Sequence, residues 1–558
     1  MPIGFLQRDA RRLDAVENLG SMDLLCTDKT GTLTEGAIRL DACLDPLGAA
    51  SQEVRLWALL NAMLQTGMAN PLDEAIAAGR GEGDDLTRYA KADEVPYDFV
   101  RKRLSVVIRQ PGRGEDLLIC KGAVQNVAEA CTSVLEGTVP RPLDADRRKA
   151  IEDRVQGWSM QGFRVLGLAV RRFPPKAACS RDDESGLAFA GFLLFLDPPK
   201  PGMAETLKAL ATRGIEVKMI SGDNRYVAMH LAETIGMPHR NVLTGSELAK
   251  LTREALLARV AQTDIFAEID PNQKERIIAA LRRRGRVVGY LGDGINDAPA
   301  LHEADIGITV DSAVDVAREA ADMILLKRDL GILLRGVDDG RVTFANTMKY
   351  IAITTSANFG NMISMAFASL FLPFLPLLAS QILLNNLLSD VPSLAIATDN
   401  VDAEQRRSAR HWDIGYVRRF MVAFGLVSSG FDLVTFAFIM LIAGAGAQVF
   451  QTAWFVESLM TELAVVMIVR TRKPFWKSRP SRLLSGLTLA VAVLAIAIPY
   501  LPGADWFGFV PLPLPVVGGL IAITSAYLVA TEATKRWFFS RERRRTAGRP
   551  RSNSRKSA

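Results

Sequence analysis

The sequence predicts a multidomain protein: an α/β unit of alternating strands and helices, interrupted by an inserted α+β segment and followed by an all-α membrane region. Three observations carry this. Short apolar runs end in polar loops rich in Asp, Gly, Ser and Thr, as where Met22-Asp23-Leu24-Leu25 runs into Cys26-Thr27-Asp28-Lys29-Thr30-Gly31-Thr32-Leu33-Thr34; this is how buried strands deliver chemistry to their carboxyl ends. Residues 41–185 then break the alternation, which resumes after residue 186. Six apolar blocks follow residue 350, each near the ~20 residues that cross a ~30 Å hydrocarbon core. A chain of 558 residues, 49% hydrophobic with a formal charge of +6, exceeds one ordinary core and calls for several domains. Its five cysteines (Cys26, Cys43, Cys120, Cys131, Cys179) lack metal-ligand or framework spacing and read as free thiols in a reducing compartment. No signal peptide is expected, because Gln7-Arg8-Asp9-Ala10-Arg11-Arg12 follows the start almost at once.

The first strand places Asp28 at its carboxyl end. Lys29, Gly31 and the three threonines surround that carboxylate with a positive charge, a tight turn and hydroxyl donors, which suits a nucleophile that accepts a phosphoryl group. Partners follow downstream. Gly191–Leu196 is an apolar strand stopped by Asp197-Pro198-Pro199-Lys200. Met203–Arg213 reads as a helix closed by Gly214. The strand Ile215–Ile220 ends in Ser221-Gly222-Asp223-Asn224, where a hydroxyl and backbone N–H groups suit a phosphoryl oxygen and Asp223 could order the site. A plain helix N-cap would explain Ser221 or Asp223 taken singly. Asp270-Pro271-Asn272-Gln273-Lys274 opens another helix, with Lys274 near a terminus whose dipole disfavours a cation unless it faces an anion. The buried strand Val287–Leu291 leads into Gly292-Asp293-Gly294-Ile295-Asn296-Asp297, whose Asp293, Asn296 and Asp297 are hard oxygen donors suited to Mg²⁺, although a structural turn has the same composition.

Within the insertion, Asn70-Pro71-Leu72-Asp73 has the form of a capped helix start. Val95–Ile108 and Asp116–Ala123 read as neighbouring strands joined through Pro111-Gly112-Arg113-Gly114. Phe99, Arg101, Lys121 and Gly122 could hold a nucleotide by stacking and charge. On composition alone, a solvated basic strand with one core Phe fits as well.

The apolar blocks lie at about 351–374, 377–398, 418–443, 451–469, 484–502 and 513–531. Basic connections (Arg406, Arg407 and Arg410; Arg470 to Arg482; the tail after Lys535) alternate with loops near 375, 446 and 505 that carry almost no Lys or Arg. The positive-inside rule then puts the soluble part and the C-terminus in the cytoplasm. The tail suits anionic lipid headgroups, with nucleic acid the weaker alternative because no nucleic-acid-binding module accompanies it; no nucleic-acid partner is expected. Polar residues in such spans are costly unless paired or used. Asn358 and Asp390, the latter beside Val391-Pro392, are the candidate ion ligands, hard donors for Mg²⁺ or Ca²⁺. Asp432, Glu457 and Glu462 are either further ligands or polar packing contacts.

These motifs resemble the P-type ATPases: DKTGTLT at 28–34, DPP at 197–199, SGD at 221–223, DPxxK at 270–274 and GDGINDAPAL at 292–301. The resemblance implies a haloacid-dehalogenase-like phosphorylation domain from residues 1–40 and 186–335, with a nucleotide-binding domain at 41–185. A stalk at 336–350, six membrane helices over 351–534 and a basic tail at 535–558 complete the expected order. It implies ATP and Mg²⁺ as cofactors and Asp28 as the phosphorylated residue. Asp293 would ligate Mg²⁺ beside Asp28 and the backbone of Thr30, with Asn296 and Asp297 organising that site, and Ser221 and Lys274 would contact phosphate. Phe99-Val100-Arg101 and Lys121-Gly122-Ala123 match nucleotide motifs in which Phe99 would stack on adenine and Lys121 would line the pocket; Arg164 would reach the phosphates, and Asp197 joins this set. Val100 replaces the usual Ser, and Val124-Gln125 replaces Pro-Glu.

The detail resembles the magnesium-transporting bacterial subfamily. It lies in Arg12–Asp23, Gln65-Thr66-Gly67, Phe344–Ile351, Ser356–Asn361 and Asn386–Asp390. The likeness maps Asn358 and Asp390 onto the cation path, in a multi-pass protein of the bacterial inner membrane. Members of the family carry four further spans and an actuator domain with a TGES-like loop before the phosphorylation motif. The expectation is therefore a C-terminal part of a pump, with a separately encoded N-terminal half as one candidate partner. Rival readings are a calcium or other cation pump, a membrane-anchored phosphatase of the same fold, and an inactive or regulatory truncated subunit.

Overall fold

The computed structural model describes residues 8–10, 13–66, 70–81, 85–98, 100–110, 114–176, 178–327, 330–406, 409, 412–442 and 446–547. They divide into two compact units, one of residues 1–15 and 22–334, the other of residues 16–21 and 335–558.

The first unit holds two sheets. In the first, the strand order is Arg8–Ala10, Met323–Leu325, Ile306–Val310, Val288–Leu291, Leu24–Thr27, Glu216–Ile220, Ile265–Ala267, Val242–Thr244. Every neighbouring pair is parallel except the outermost, Arg8–Ala10 on Met323–Leu325. Leu24–Thr27, Val288–Leu291 and Ile306–Val310 are buried along their whole length, as parallel strands covered on both faces require. That is why these strands read as continuous apolar runs. Leu24–Thr27 is central, flanked by Glu216–Ile220 and Val288–Leu291. Three predicted site loops, those of Asp28, Ser221 and Asp293, therefore leave the sheet at one edge.

The second sheet is mainly antiparallel, in the order Ala90–Asp98, Arg103–Arg109, Asp116–Ala123, Arg164–Phe173, Leu187–Leu196, Cys131–Glu136, Val139–Pro142, with Arg39–Leu44 also paired to Leu187–Leu196. Side chains alternate between its faces. Val106, Ile108 and Ile119 pack with Trp57, Leu60 and Ile76 of the helices Gln52–Leu64 and Pro71–Ala78. Val107, Leu118 and Cys120 pack on the other side with Val127 and Ile151. Leu187–Leu196 needs hydrogen-bonding partners on both edges and finds them in Arg39–Leu44 and Arg164–Phe173, so both ends of the insertion lie within this sheet. The Pro111–Arg113 connection lies outside the described residues; the strands it joins pair antiparallel as expected.

In the second unit the stalk and first apolar block are one 42-residue helix, Leu330–Phe371. The second block is the 17-residue helix Ala379–Ala395, which continues through Pro392. Among the described residues four helices are long and apolar enough to cross a membrane: Ile414–Leu441, Ala447–Val469, Arg482–Tyr500 and Leu514–Arg545. Ala447–Val469 is the central one, with Phe450, Trp454, Phe455 and Leu459 buried among Phe436, Val491 and Phe509.

Candidate active site

The Asp28 loop is built by its backbone. Asp28 N donates to Leu291 O at 3.0 Å, tying the end of one strand to the next. Lys200 Nζ donates to the carbonyls of Gly31 and Thr32 at 2.6 and 2.9 Å. Thr34 Oγ1 donates to Asp197 Oδ2 at 2.6 Å, and Gly36 N to Asp197 Oδ1 at 3.1 Å. Asp197 thus closes the junction between the two sheets as a structural clasp. Gly31 has φ +70°, and a Cβ there would lie 2.5 Å from Asp293 Oδ2. Both the left-handed backbone and the approach of Asp293 demand glycine. Gly31→Ala is accordingly expected to cost about 1–2 kcal/mol of stability from backbone strain alone; thermal or denaturant unfolding of the variant beside the unsubstituted chain would check it.

Lys274 connects the acids. Its Nζ lies 3.2 Å from Asp28 Oδ1 and 2.7 Å from Asp297 Oδ1. The helix Pro271–Arg283 brings it there; Asp270 and Gln273 cap that helix reciprocally, with Pro271 at its first position. Asp297 is also held by Tyr290 Oη at 2.7 Å and Gly294 N at 3.0 Å, so its oxygens are committed to positioning Lys274. Burial pushes the Asp28 carboxyl up to about 6, with Lys274 pulling down and Asp297 pushing up. Burial works against the Lys274 ammonium, but Asp28 and Asp297 outweigh it and hold its pKa above the ordinary lysine value.

Ser221 is buried and its Oγ accepts from Asp223 N at 3.0 Å. Asp223 lies 2.5 Å from Lys29 Nζ and 3.7 Å from Arg164 Nη1. Burial would raise its pKa; Lys29 and Arg164 more than offset that and leave it below the usual carboxylate range. Arg164 belongs to the second sheet, so this ion pair joins that sheet to the strand ends of the first. Lys29, Thr30, Gly162, Arg164 and Asp197 line one small cleft there.

Phe99 lies outside the described residues. Arg101 pairs with the buried Glu184, and Lys121 with the buried Asp73. Both are members of ion pairs apart from the parallel-sheet strand ends: Arg101 in the turn between Ala90–Asp98 and Arg103–Arg109, and Lys121 on Asp116–Ala123 beside Gly122. Asn296 is exposed and Asp297 buried. The carboxylates of Asp28 and Asp293 stand at neighbouring strand ends, and glycine at 31 leaves room for the Asp293 carboxylate against the Asp28 loop. Among the described residues no group of three or more His, Cys, Asp or Glu could enclose a metal. Two carboxylates fit Mg²⁺, which retains waters and shares phosphate oxygens. Sequence reasoning missed Tyr290, Lys200 and the Lys29–Asp223 pair. A hydroxyl at the end of an otherwise apolar strand was the available signal for Tyr290.

In the second unit, Asn358 and Asp390 share a cavity of about 190 Å³ with Asn386, Ser389 and Glu462. Glu462 Oε1 accepts from Asn361 Nδ2 at 2.5 Å and Asn385 Nδ2 at 3.3 Å. Asp432 and Glu457 do not line this cavity.

Two family profiles match the chain: "P-type ATPase, cytoplasmic domain N" over residues 56–202 and "Cation transporting ATPase, C-terminus" over residues 374–537. The magnesium-transporting ATPase, P-type 1, of Salmonella typhimurium is 43% identical over 540 residues, 95% of this chain and 60% of that protein. Its Escherichia coli counterpart is 42% identical over the same shares. Plasma membrane ATPase 1 of Saccharomyces cerevisiae is 29% identical over 510 residues, 88% of this chain and 52% of the yeast protein. The chain spans about 60% of the length of the magnesium-transporting relatives.

Proposed function

The chain belongs to the P-type ATPases, and from that premise we propose that it carries the phosphorylation, nucleotide and C-terminal membrane parts of an ATP-driven magnesium pump of the bacterial plasma membrane. The observation that carries this is Lys274 shared between Asp28 and Asp297 at the carboxyl edge of the parallel sheet. In this reading the first sheet is the haloacid-dehalogenase-like phosphorylation domain and the second is the nucleotide domain, with Arg101, Lys121 and Gly122 among its nucleotide-binding residues and Phe99, outside the described residues, as the ring that stacks on adenine. A carboxylate oxygen of Asp28 attacks the γ-phosphorus of ATP in line; the bond to the bridging oxygen breaks, ADP leaves, and an aspartyl-phosphate remains. Lys274 offsets charge on the transferred group, Ser221 donates to one of its oxygens, and Asp223 holds Lys29 and Arg164 toward the phosphates. Asp28, Asp293 and the Thr30 carbonyl would hold Mg²⁺, which when bound neutralises phosphate charge.

All six apolar blocks cross the membrane in this reading, with the nucleotide and phosphorylation domains on the cytoplasmic side. The first two blocks bring Asn358 and Asp390 to the cavity, where Glu462 adds a third hard donor. The test reconstitutes the chain in vesicles with the part of a magnesium-transporting relative that it does not match. ATP-driven Mg²⁺ uptake is expected. Ca²⁺-driven phosphate release without a response to Mg²⁺ would assign a calcium pump instead. Labelling of Asp28 by small phosphoesters and not by ATP would assign a phosphatase.

A further inference from the structure

Three membrane helices meet around a carboxyl pair that the transport cavity does not use. Asp432 is on Ile414–Ala437, and Glu457 is on Ala447–Val469; both are at least nine-tenths buried, at 2% and 1% exposure. Asp432 Oδ2 accepts from Ser364 Oγ at 2.5 Å, and Oδ1 accepts from the indole Nε1 of Trp454 at 3.0 Å. Glu457 differs. Among the described residues no N–H or O–H donor reaches either of its carboxylate oxygens, and Trp454, one turn before it on the same helix, donates to Asp432, which sets the Asp432 carboxyl beside it. The other titratable groups facing the pair are Glu462, on the same helix as Glu457, and the phenol of Tyr527 on Leu514–Ala547. That set contains no cation.

The hydrogen bonds assign the charge. An ionised carboxylate is acceptor-only, whereas a protonated one has an O–H to donate. Both donors point at Asp432 and none at Glu457, so the negative charge is satisfied on Asp432 and would be unsatisfied on Glu457. Two adjacent charges in a core without a cation are prohibitive. A metal ion fits no better. Ca²⁺ or Mg²⁺ requires six or more oxygens, while Trp454 presents an N–H, a donor that cannot ligate.

We propose that Asp432 and Glu457 form a proton-binding site in the membrane unit, separate from the Asn358–Asp390 cavity, in which Glu457 carries one proton and donates it to ionised Asp432. The assignment needs only the burial of these helices in a membrane and does not depend on which ion is pumped. As one coupled pair, the two acids take up and release that proton together.

The test is infrared difference spectroscopy of the full chain in lipid nanodiscs at neutral pH. A protonated-carboxyl carbonyl band that moves to lower frequency in D₂O is expected in the wild type and is expected to be lost in Glu457→Gln, whose thermal midpoint should remain unchanged because glutamine reproduces the neutral acid. Asp432→Asn supplies a second reading: it removes the charged acceptor, so the Glu457 band should persist and move to higher frequency. Absence in the wild type of any band assignable to Glu457 would overturn the site. So would loss of a stoichiometric bound cation on Glu457→Gln, measured by equilibrium dialysis with Mg²⁺ and with Ca²⁺, since that would assign the pair to a metal.

Discussion

Asp28→Asn is expected to reduce ATP-dependent incorporation of hydroxylamine-labile phosphate to background, at least about a 10³-fold loss, as removal of a covalent nucleophile does. The amide is nearly isosteric. Asp28 N would still donate to Leu291 O, and the loop would still be braced by Lys200 and closed by Asp197. Folding and nucleotide binding should therefore survive, which separates loss of chemistry from loss of structure. Acid-quenched labelling with γ-labelled ATP, beside a thermal melt and a nucleotide-binding titration, reads both. Undiminished labelling in the variant would move the nucleophile elsewhere and sink the reading of the site.

Lys274→Met is expected to be nearly as damaging to phosphorylation and, unlike Asp28→Asn, to lower stability as well. It deletes the cation between Asp28 and Asp297 while keeping the length of the side chain. Asp297 would remain buried with Tyr290 Oη and Gly294 N as its donors. Breaking a buried pair from one side costs about 3–5 kcal/mol, and the two remaining hydrogen bonds place the expected loss at the lower end. Loss of one positioned charge on a transferred phosphoryl group slows the step by about 10²–10³-fold. Lys274→Arg should recover stability more than rate, because a planar guanidinium can bridge the two carboxylates but carries its charge further from the attacking oxygen. Denaturant unfolding and single-turnover labelling of the three proteins would separate the two effects.

The strand-end loops were legible because their strands are buried on both faces. A continuous apolar run stopped by Asp, Ser or Gly leaves few alternatives, and Asp28, Ser221 and Asp293 were placed on that basis. Lys274 was legible through an apparent misfit, a cation at the positive end of a helix dipole. The roles of Asp297 and Asp197 were harder to read. Both stand in motifs that suggest ligands, yet Asp197 accepts from Thr34, 163 residues away, and Asp297 is held by Lys274, Tyr290 and Gly294. Lys121 is similar: its local strand suggests a free basic group, while its charge is balanced by Asp73, 48 residues away. The pairing of Leu187–Leu196 with Arg39–Leu44 and Arg164–Phe173 was hidden for a related reason. Apolarity shows that Leu187–Leu196 is a strand, but not which sheet completes its hydrogen bonds.

In the helical unit, span length and hydropathy could be read from composition, since the lipid core acts on each segment separately. The partners of its polar groups could not. Asp432, Glu457 and Glu462 are the same kind of residue in the sequence; one is met by a serine and an indole, one by another acid, and one by two amides.

The amino-acid sequence by itself determined which buried segments are strands and which carboxylates stand at strand ends, because those properties depend on nearest neighbours and on burial. Only the tertiary structure decided which carboxylates are balanced by cations, which are held by neutral donors, and which must keep a proton. The reason is electrostatic: the cost of a buried charge is set by donors that folding brings from distant parts of the chain.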